Sequence, residues 1–366
     1  MKILILADIT APYRKAVFKG LAKEHDVDVF FNTAKSEQRD PKWYAMSDEE
    51  LRFYVLNSDE AQAKYDECVK NIKSYDAVLC YDPWHKRSRA LQRLCMRKHI
   101  PYALNADGAR KINMSFPRKQ IKSYYTKRAP MLFAGCERAE EYFKAYGAKP
   151  ERIVRHYFTS SFAAQILEKP LSDSEKLAIK EELGMAPKTT FMAVGQFVHR
   201  KGFDLLLDAW GQTAQEGQLY IIGGGPLREE YERTIAEKNL QNVYIEDFKK
   251  PDVLLKYYHA SDVFVMPTRE DIWGLVVNEA LGVALPVISS DECTSGTELV
   301  QNDVNGYVYP CRDTACLAKY ISALASSAEK RERFAQKALE IISPYTIENI
   351  IENHLDSIKK LIKETL

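Results

Sequence analysis

The sequence predicts two doubly wound α/β domains in one chain, and three observations lead there. The 366 residues exceed the ~250–300 at which a single hydrophobic core stops growing. Short apolar runs alternate with stretches of helical periodicity along the chain, as in parallel sheets built from strand–helix units. With 46% hydrophobic and 28% charged residues, the composition is that of a globular protein rather than a disordered one.

In the first half, Ile3 to Ala7 reads as a buried strand, followed by Ala16, Phe18, Leu21 and Ala22 at helical spacing. Val27–Phe31, Ala77–Tyr81 and Tyr102–Leu104 read as further strands. Doubly wound domains bind ligands in the loops at the carboxyl ends of their strands. This nominates Asp8 to Arg14, Tyr81 to His85 and Asn105 to Arg110. No Gly-x-Gly-x-x-Gly follows the first strand, which argues against a nicotinamide enzyme.

Leu167 to Asp173, with Pro170 and Ser172, reads as a connection between domains 1–168 and 169–344. Thr190–Gly195, Leu219–Ile222, Val243–Ile245, Val263–Met266 and Pro286–Ile288 are the expected strands of the second. Residues 345–366 form a separate amphipathic helix, with Ile347, Ile350, Ile351, Leu355, Ile358, Leu361 and Ile362 on one face.

The seven cysteines are scattered, without zinc spacing, and are expected to be reduced. The opening apolar run is too short for a signal peptide, and no run approaches the ~20 residues of a spanning helix. A cytoplasmic protein is expected. Between Pro83 and Cys136, thirteen Lys and Arg face Asp107 alone, a net +12 that leaves −11 for the remainder of a +1 chain. In this Lys86–Arg128 block, Ile112, Met114, Phe116, Ile121, Tyr124 and Tyr125 are interleaved with the cations. That mixture suits the surface of an anionic membrane. A merely solvated basic helix is the plainer reading, and nucleic acid is disfavoured because the rest of the chain is acidic.

The chemistry concentrates in the second half. Thr268-Arg269-Glu270-Asp271-Ile272-Trp273-Gly274-Leu275 follows an apolar strand ended by Pro267, and Gly274 opens a short apolar helix carrying Glu279. A loop carboxylate and a helix carboxylate can grip different parts of one ligand, while open amides at the helix start favour phosphate oxygens. A carboxylate accepting two hydrogen bonds suits vicinal ribose hydroxyls. Upstream, Gly195 ends a strand and Arg200-Lys201-Gly202 precedes a helix, a plausible diphosphate grip. Gly223-Gly224-Gly225 ends the next strand, where backbone must turn or approach a ligand.

Asp271 to Leu281, followed by Leu285-Pro286-Val287-Ile288, resembles the signature of family 4 retaining glycosyltransferases, two glutamates with seven residues between them and a Gly-x-Pro-Val turn. Asp271 stands at the first glutamate and Ala284 at the glycine, while Glu279 matches. The resemblance runs from Gly195 to Val308 and includes Lys201 as the phosphate-binding lysine, Gln196 where an arginine is usual, Glu298-Leu299-Val300 and Asn305-Gly306.

The resemblance implies the GT-B fold, two Rossmann-like domains facing across a cleft, with residues 345–366 crossing back to the first. It implies transfer of a hexose or N-acetylhexosamine from a nucleotide diphosphate, UDP by preference, to an acceptor hydroxyl. The acceptor is a saccharide or lipid-linked saccharide of cell-surface polysaccharide synthesis. Lys201, Asp271 and Asp107 are the catalytic candidates; Gly195, Arg200, Gly224, Glu270, Trp273, Gly274, Leu275 and Glu279 join them around the donor. Either Glu270 or Asp271 contacts the donor sugar. No cofactor or metal is expected, since no Asp-x-Asp pair stands in a suitable loop. An inactive nucleotide-sugar or membrane-binding subunit and a GT-B epimerase or hydrolase are the alternatives.

Overall fold

The computed structural model describes residues 1–34, 51–108 and 115–365. Two compact units emerge: Met1–Ser160 with Tyr345–Leu366, and Ser161–Pro344. The division falls before the connection at 168/169. Ile166 and Leu167 pack against Ala284, Ala335 and Leu339 of the second unit, and the Leu167 N–H donates to the Gly282 carbonyl.

Among the described residues the first unit is built on seven parallel strands: β1 (Lys2–Ile9), β2 (Asp26–Thr33), β3 (Phe53–Val55), β4 (Ala77–Cys80), β5 (Tyr102–Ala106), β6 (Met131–Ala134) and β7 (Ile153–Arg155). Their order in the sheet is β3-β2-β1-β4-β5-β6-β7. Ile3 to Ala7 are fully buried because helices cover both faces, so the strand reads as a continuous apolar run rather than an alternation. The helices are α1 (Pro12–Ala22), α2 (Asp59–Lys70), α3 (Lys86–Lys98), α4 (Phe116–Arg128) and α5 (Glu137–Ala145).

The second unit has α6 (Asp173–Glu182), β8 (Thr190–Gln196), α7 (Phe203–Trp210), β9 (Gln218–Gly224), α8 (Arg228–Glu237), β10 (Val243–Asp247), α9 (Pro251–Ala260) and β11 (Val263–Met266). It continues with α10 (Leu275–Gly282), β12 (Val287–Ser290), α11 (Thr294–Leu299), β13 (Gly306–Tyr309), α12 (Thr314–Ala325) and α13 (Ala328–Ile342). Its parallel sheet runs β10-β9-β8-β11-β12-β13. Ser172 caps α6 in a reciprocal bond with Glu175, which explains why a helix starts directly after the Pro170 stretch.

The last helix, α14 (Ile347–Thr365), returns to the first unit. Its Ile347, Ile350, Ile358 and Leu361 join Val17, Phe18 and Leu21 of α1 in one core. Buried aliphatic side chains contribute about 1.5–3 kcal/mol each, so this face holds the helix on its own unit.

In both sheets the strand order reverses once. In the first, the reversal lies between β1 and β4; in the second, between β8 and β11. Open α/β sheets place ligands outside the carboxyl ends of the strands at this switch point.

Candidate functional site

The second switch point is occupied by two loops, 197–202 after β8 and 267–274 after β11. Lys201 leaves the first and Asp271 the second, and Lys201 Nζ donates to Asp271 Oδ2 at 2.6 Å. Arg200 Nη1 lies 3.6 Å from the same oxygen, with its side chain 42% exposed. Burial opposes ionisation of Asp271, but Lys201 and then Arg200 outweigh it, and the carboxyl is held below its ordinary range. Two cations and one carboxylate leave a net positive charge at the mouth of the sheet.

Backbone geometry makes this meeting possible. Gly202 has φ +70°, and a Cβ there would lie 2.1 Å from the Pro267 carbonyl oxygen, so the two loops touch only because the side chain is absent. Gly274, at φ +95°, caps α10 without a side chain of its own, and a Cβ would press on Cys293 Sγ at 2.8 Å. Ser295 Oγ donates to the Gly274 carbonyl, fixing the turn. The amides of Leu275 and Val276 then open the helix.

A strap that the sequence did not announce holds the loops together. Arg269 forms a two-pronged pair with Asp204 of α7. Its backbone N–H donates to the Arg200 carbonyl at 2.7 Å, and its Nη1 to the His199 carbonyl at 2.8 Å. Thr268 Oγ1 donates to the same Arg200 carbonyl, and Ser290 Oγ to the Thr268 carbonyl. Burial works against the Asp204 charge, but Arg269 more than offsets it and the carboxyl shifts down. Thr268 and Arg269 adjoin the motif, which is the one signal that could have found them.

Glu279 projects from the second turn of α10. Burial pushes its carboxyl up, against the opposing hydrogen bond from Tyr258, whose hydroxyl donates to Oε2 at 3.0 Å. Tyr258, on α9, is itself buried, which drives its phenol well above the ordinary value and keeps it a donor. Nothing in the spacing of α9 signals this partner.

The other expected donor-site residues take distinct places. Trp273 turns inward: it is buried, and its Nε1 donates to Asn278 Oδ1 at 2.8 Å, so its ring belongs to the scaffold under the loop. Gly195 sits against the Lys201 stem, where a Cβ would meet Cε at 3.3 Å. A Cβ on Gly224 would meet open space, whereas one on Gly223 would lie 1.9 Å from the Gly195 carbonyl oxygen. Asp271 is the carboxylate that meets Lys201; Glu270, beside it, binds Thr268 Oγ1 through its backbone N–H and carbonyl. Leu275 is the first residue of α10.

Asp107 belongs to the first unit, after β5. Arg14 Nη2 donates to its Oδ2 at 2.8 Å, Tyr13 to the same oxygen at 3.2 Å, and Asn105 Nδ2 to Oδ1 at 2.6 Å. Arg14 also lies 3.5 Å from Asp8 at the end of β1. Asp82, after β4, is shifted up by burial and then by Asp8. Charged groups therefore gather at the first switch point too. Arg110 and Lys111 of the basic block, with Ile112 and Met114, lie outside the described residues. Among the described residues no group of three or more His, Cys, Asp or Glu is placed to hold a metal, and no helix is long and apolar enough to cross a membrane.

Comparison with known proteins follows this geometry. Residues 175–340 match the family described as Glycosyl transferases group 1. The amylovoran biosynthesis glycosyltransferase AmsD of Erwinia amylovora is 26% identical over 208 residues, 55% of this chain and 58% of that protein. The O-antigen chain mannosyltransferase C of Escherichia coli is 26% identical over 178 residues, 47% of each. The chain spans little more than half the length of the curated relatives it matches, 58%, 57% and 52% in three of them. Among solved structures, Anabaena HepE in complex with UDP superimposes with a TM-score of 0.79 at 17% identity, over 98% of this chain and all of that one. Sucrose-phosphate synthase from Thermosynechococcus elongatus gives a TM-score of 0.75 at 18% identity, over the full length of both chains. These likenesses establish the fold as GT-B, with its two Rossmann-like domains. Residues 175–340, which carry the Lys201–Asp271 pair and Glu279, are similar to the group 1 glycosyltransferase family.

Proposed function

We propose that the protein is a retaining glycosyltransferase that moves a hexose or N-acetylhexosamine from a UDP-sugar to an acceptor hydroxyl. The observation that carries this reading is the convergence of Lys201, Arg200 and Asp271 at the switch point of the second sheet, beside the open amides of α10. Such a site suits a diphosphate whose charge grows as it leaves. The UDP bound by HepE supports the choice of nucleotide.

In this reading Lys201 and Arg200 neutralise the diphosphate, together with the first amides of α10. Glu279 accepts the ribose hydroxyls with Tyr258 steadying its other side. Asp271, or Glu270 beside it, holds hydroxyls of the donor sugar. The bond from the anomeric carbon to the phosphate oxygen breaks, the acceptor oxygen attacks from the same face, and its proton passes to the departing phosphate. Asp107, fixed by Arg14 and Asn105, orients hydroxyls from the first unit. No metal takes part.

The acceptor we favour is a saccharide or lipid-linked saccharide of cell-surface polysaccharide assembly, a role carried in the names of the amylovoran and O-antigen relatives. A protein of the cytoplasm resting on the inner membrane face fits such an acceptor. Exposed Phe116, Ile121 and Tyr124 among the cations of α4 support that contact.

The test is UDP release from a panel of UDP-hexoses with simple glycoside acceptors, followed by NMR of the product anomer. Acceptor-dependent release with the donor's anomeric configuration kept is expected. An inverted product would overturn retention, and binding without release would turn the reading toward a nucleotide-sugar-binding subunit.

A further inference from the structure

A cavity of ≈ 860 Å³ opens in the first unit away from the loops that carry Asp8, Asp82 and Asp107. Its floor is the amino-terminal entry to β5, at Ile100, Pro101 and Tyr102, whereas those loops follow the carboxyl ends of the strands. Three guanidinium side chains line it: Arg93 and Arg97 from α3, and Arg128 from the end of α4. Among the described residues no Asp or Glu lines it.

Like charges gathered around one cavity repel, and the described neighbours do little to offset this. Arg93 donates to the Tyr125 hydroxyl. Arg128 donates to the Tyr124 carbonyl and lies over the Tyr124 ring at 3.9 Å. These partners are neutral, and they hold two of the three guanidinium groups in place. A cluster of guanidiniums without a carboxylate partner among the described residues matches a phosphate group, which accepts their paired N–H donors.

Two further features agree. Tyr102, 3% exposed, also lines the cavity, and its phenol hydroxyl has no hydrogen-bond partner among the described residues. The carboxyl end of α3, whose partial negative charge would repel an anion, is partly neutralised: the Cys95 carbonyl already accepts the N–H groups of His99 and Ile100. Leu94, Met96 and Pro130 complete an apolar wall.

We propose that Arg93, Arg97 and Arg128 form a binding site for a phosphate-bearing anion on the first unit, separate from the residues assigned to the sugar nucleotide. The site does not depend on the glycosyl-transfer reading. A phosphate group reaches it either on a soluble molecule or on a lipid headgroup, whose chain would lie along the apolar wall.

The experiment uses the full chain carrying Lys201→Ala, so that the second unit does not contribute. Inorganic pyrophosphate is titrated calorimetrically, and vesicles of phosphatidylglycerol in phosphatidylcholine are tested by co-sedimentation. Each is repeated with Arg93→Gln/Arg97→Gln/Arg128→Gln and with a control of equal charge, Lys23→Gln/Lys70→Gln/Lys73→Gln. Thermal melts establish that both variants fold, and single Arg97→Gln replaces the triple variant if it does not.

Loss of pyrophosphate affinity by about tenfold in the arginine variant, with the control unchanged, supports the site with a soluble phosphate. Loss confined to vesicle binding supports it with a lipid headgroup. Equal losses in both variants, or no binding of either probe, would overturn it.

Discussion

Lys201 and Asp271 are seventy residues apart in sequence and 2.6 Å apart in space, and each is the other's main compensation for burial. Asp271→Asn would leave the Lys201 ammonium without its counter-ion, a loss of up to about 3 kcal/mol in stability, moderated because the side chains keep 10% and 16% exposure. Because the folded-state value of Asp271 is lowered, its contribution is present at neutral pH and fades as pH falls through that value. Denaturant melts of wild type and Asp271→Asn should therefore converge in acid. Glu279 has the opposite sign. Its raised value means that ionisation weakens the fold as pH rises above the ordinary carboxylate range, and a ribose that hydrogen-bonds the anion would recover the loss. Tyr258→Phe removes the opposing hydrogen bond, so Glu279 ionises at still higher pH. UDP affinity in that variant should fall by about tenfold, most sharply toward acid, while kcat changes less than KM. Equal affinity profiles for both proteins would sink this role.

At the scale of elements, the predicted strands with long apolar runs, Ile3–Ala7, Thr190–Gly195 and Val263–Met266, lie within β1, β8 and β11. What the reading missed was short or at the rim: β3 and β7 have three residues each and lie at the two edges of the first sheet. Three half-buried residues carry too little periodicity to announce a strand. β6, an inner strand with the apolar run Met131–Ala134, is the exception: it carries the signal but is not among the expected strands. The site divides similarly. Lys201, Asp271 and Glu279 stand in a recognisable order, while Tyr258 and the Arg269–Asp204 strap arise only when separate elements meet. Trp273, a conspicuous letter of the motif, packs beneath the loop instead. The strap makes a prediction at this scale. Arg269→Ala should release the loop from α7 and from the His199 carbonyl while the backbone N–H keeps the Arg200 carbonyl, raising donor KM several-fold for a modest loss of melting temperature. A variant that melts much lower with KM unchanged would reduce the strap to a fold-stabilising contact.

At the scale of the molecule, the first unit is completed by α14, which arrives from the far end of the chain. Its His354 stacks on Phe133 at 4.1 Å and faces His156 at 5.0 Å, both histidines buried. The charged groups near them are Arg14, Arg155 and Asp107, and the Ile350 carbonyl binds His354 Nδ1. Burial pushes each imidazole down to about 3. The unfolded chain therefore binds protons that the folded chain refuses as pH drops below about 6.5, at a cost of roughly 1.4 kcal/mol per pH unit for each histidine. His354→Phe should halve that acid slope, and an unchanged slope would remove the pair from the account. The +12 block shows what a whole-chain net charge conceals: a chain of +1 in which one stretch of the first unit is strongly basic and the remainder acidic. Addition of salt should weaken any attachment to anionic vesicles steeply, since exposed charges are screened within about 8–10 Å at ordinary ionic strength.

The most direct test of the central claim, a sugar-nucleotide site at the second switch point, is thermal stabilisation of the full chain by a panel of nucleotide sugars, beside Lys201→Ala and Glu279→Ala. A ligand at a hundred times its dissociation constant adds about 2.7 kcal/mol, an easily read shift. The account predicts stabilisation by a UDP-sugar that both substitutions abolish. Absence of any shift, or a shift that survives in both variants, would contradict it.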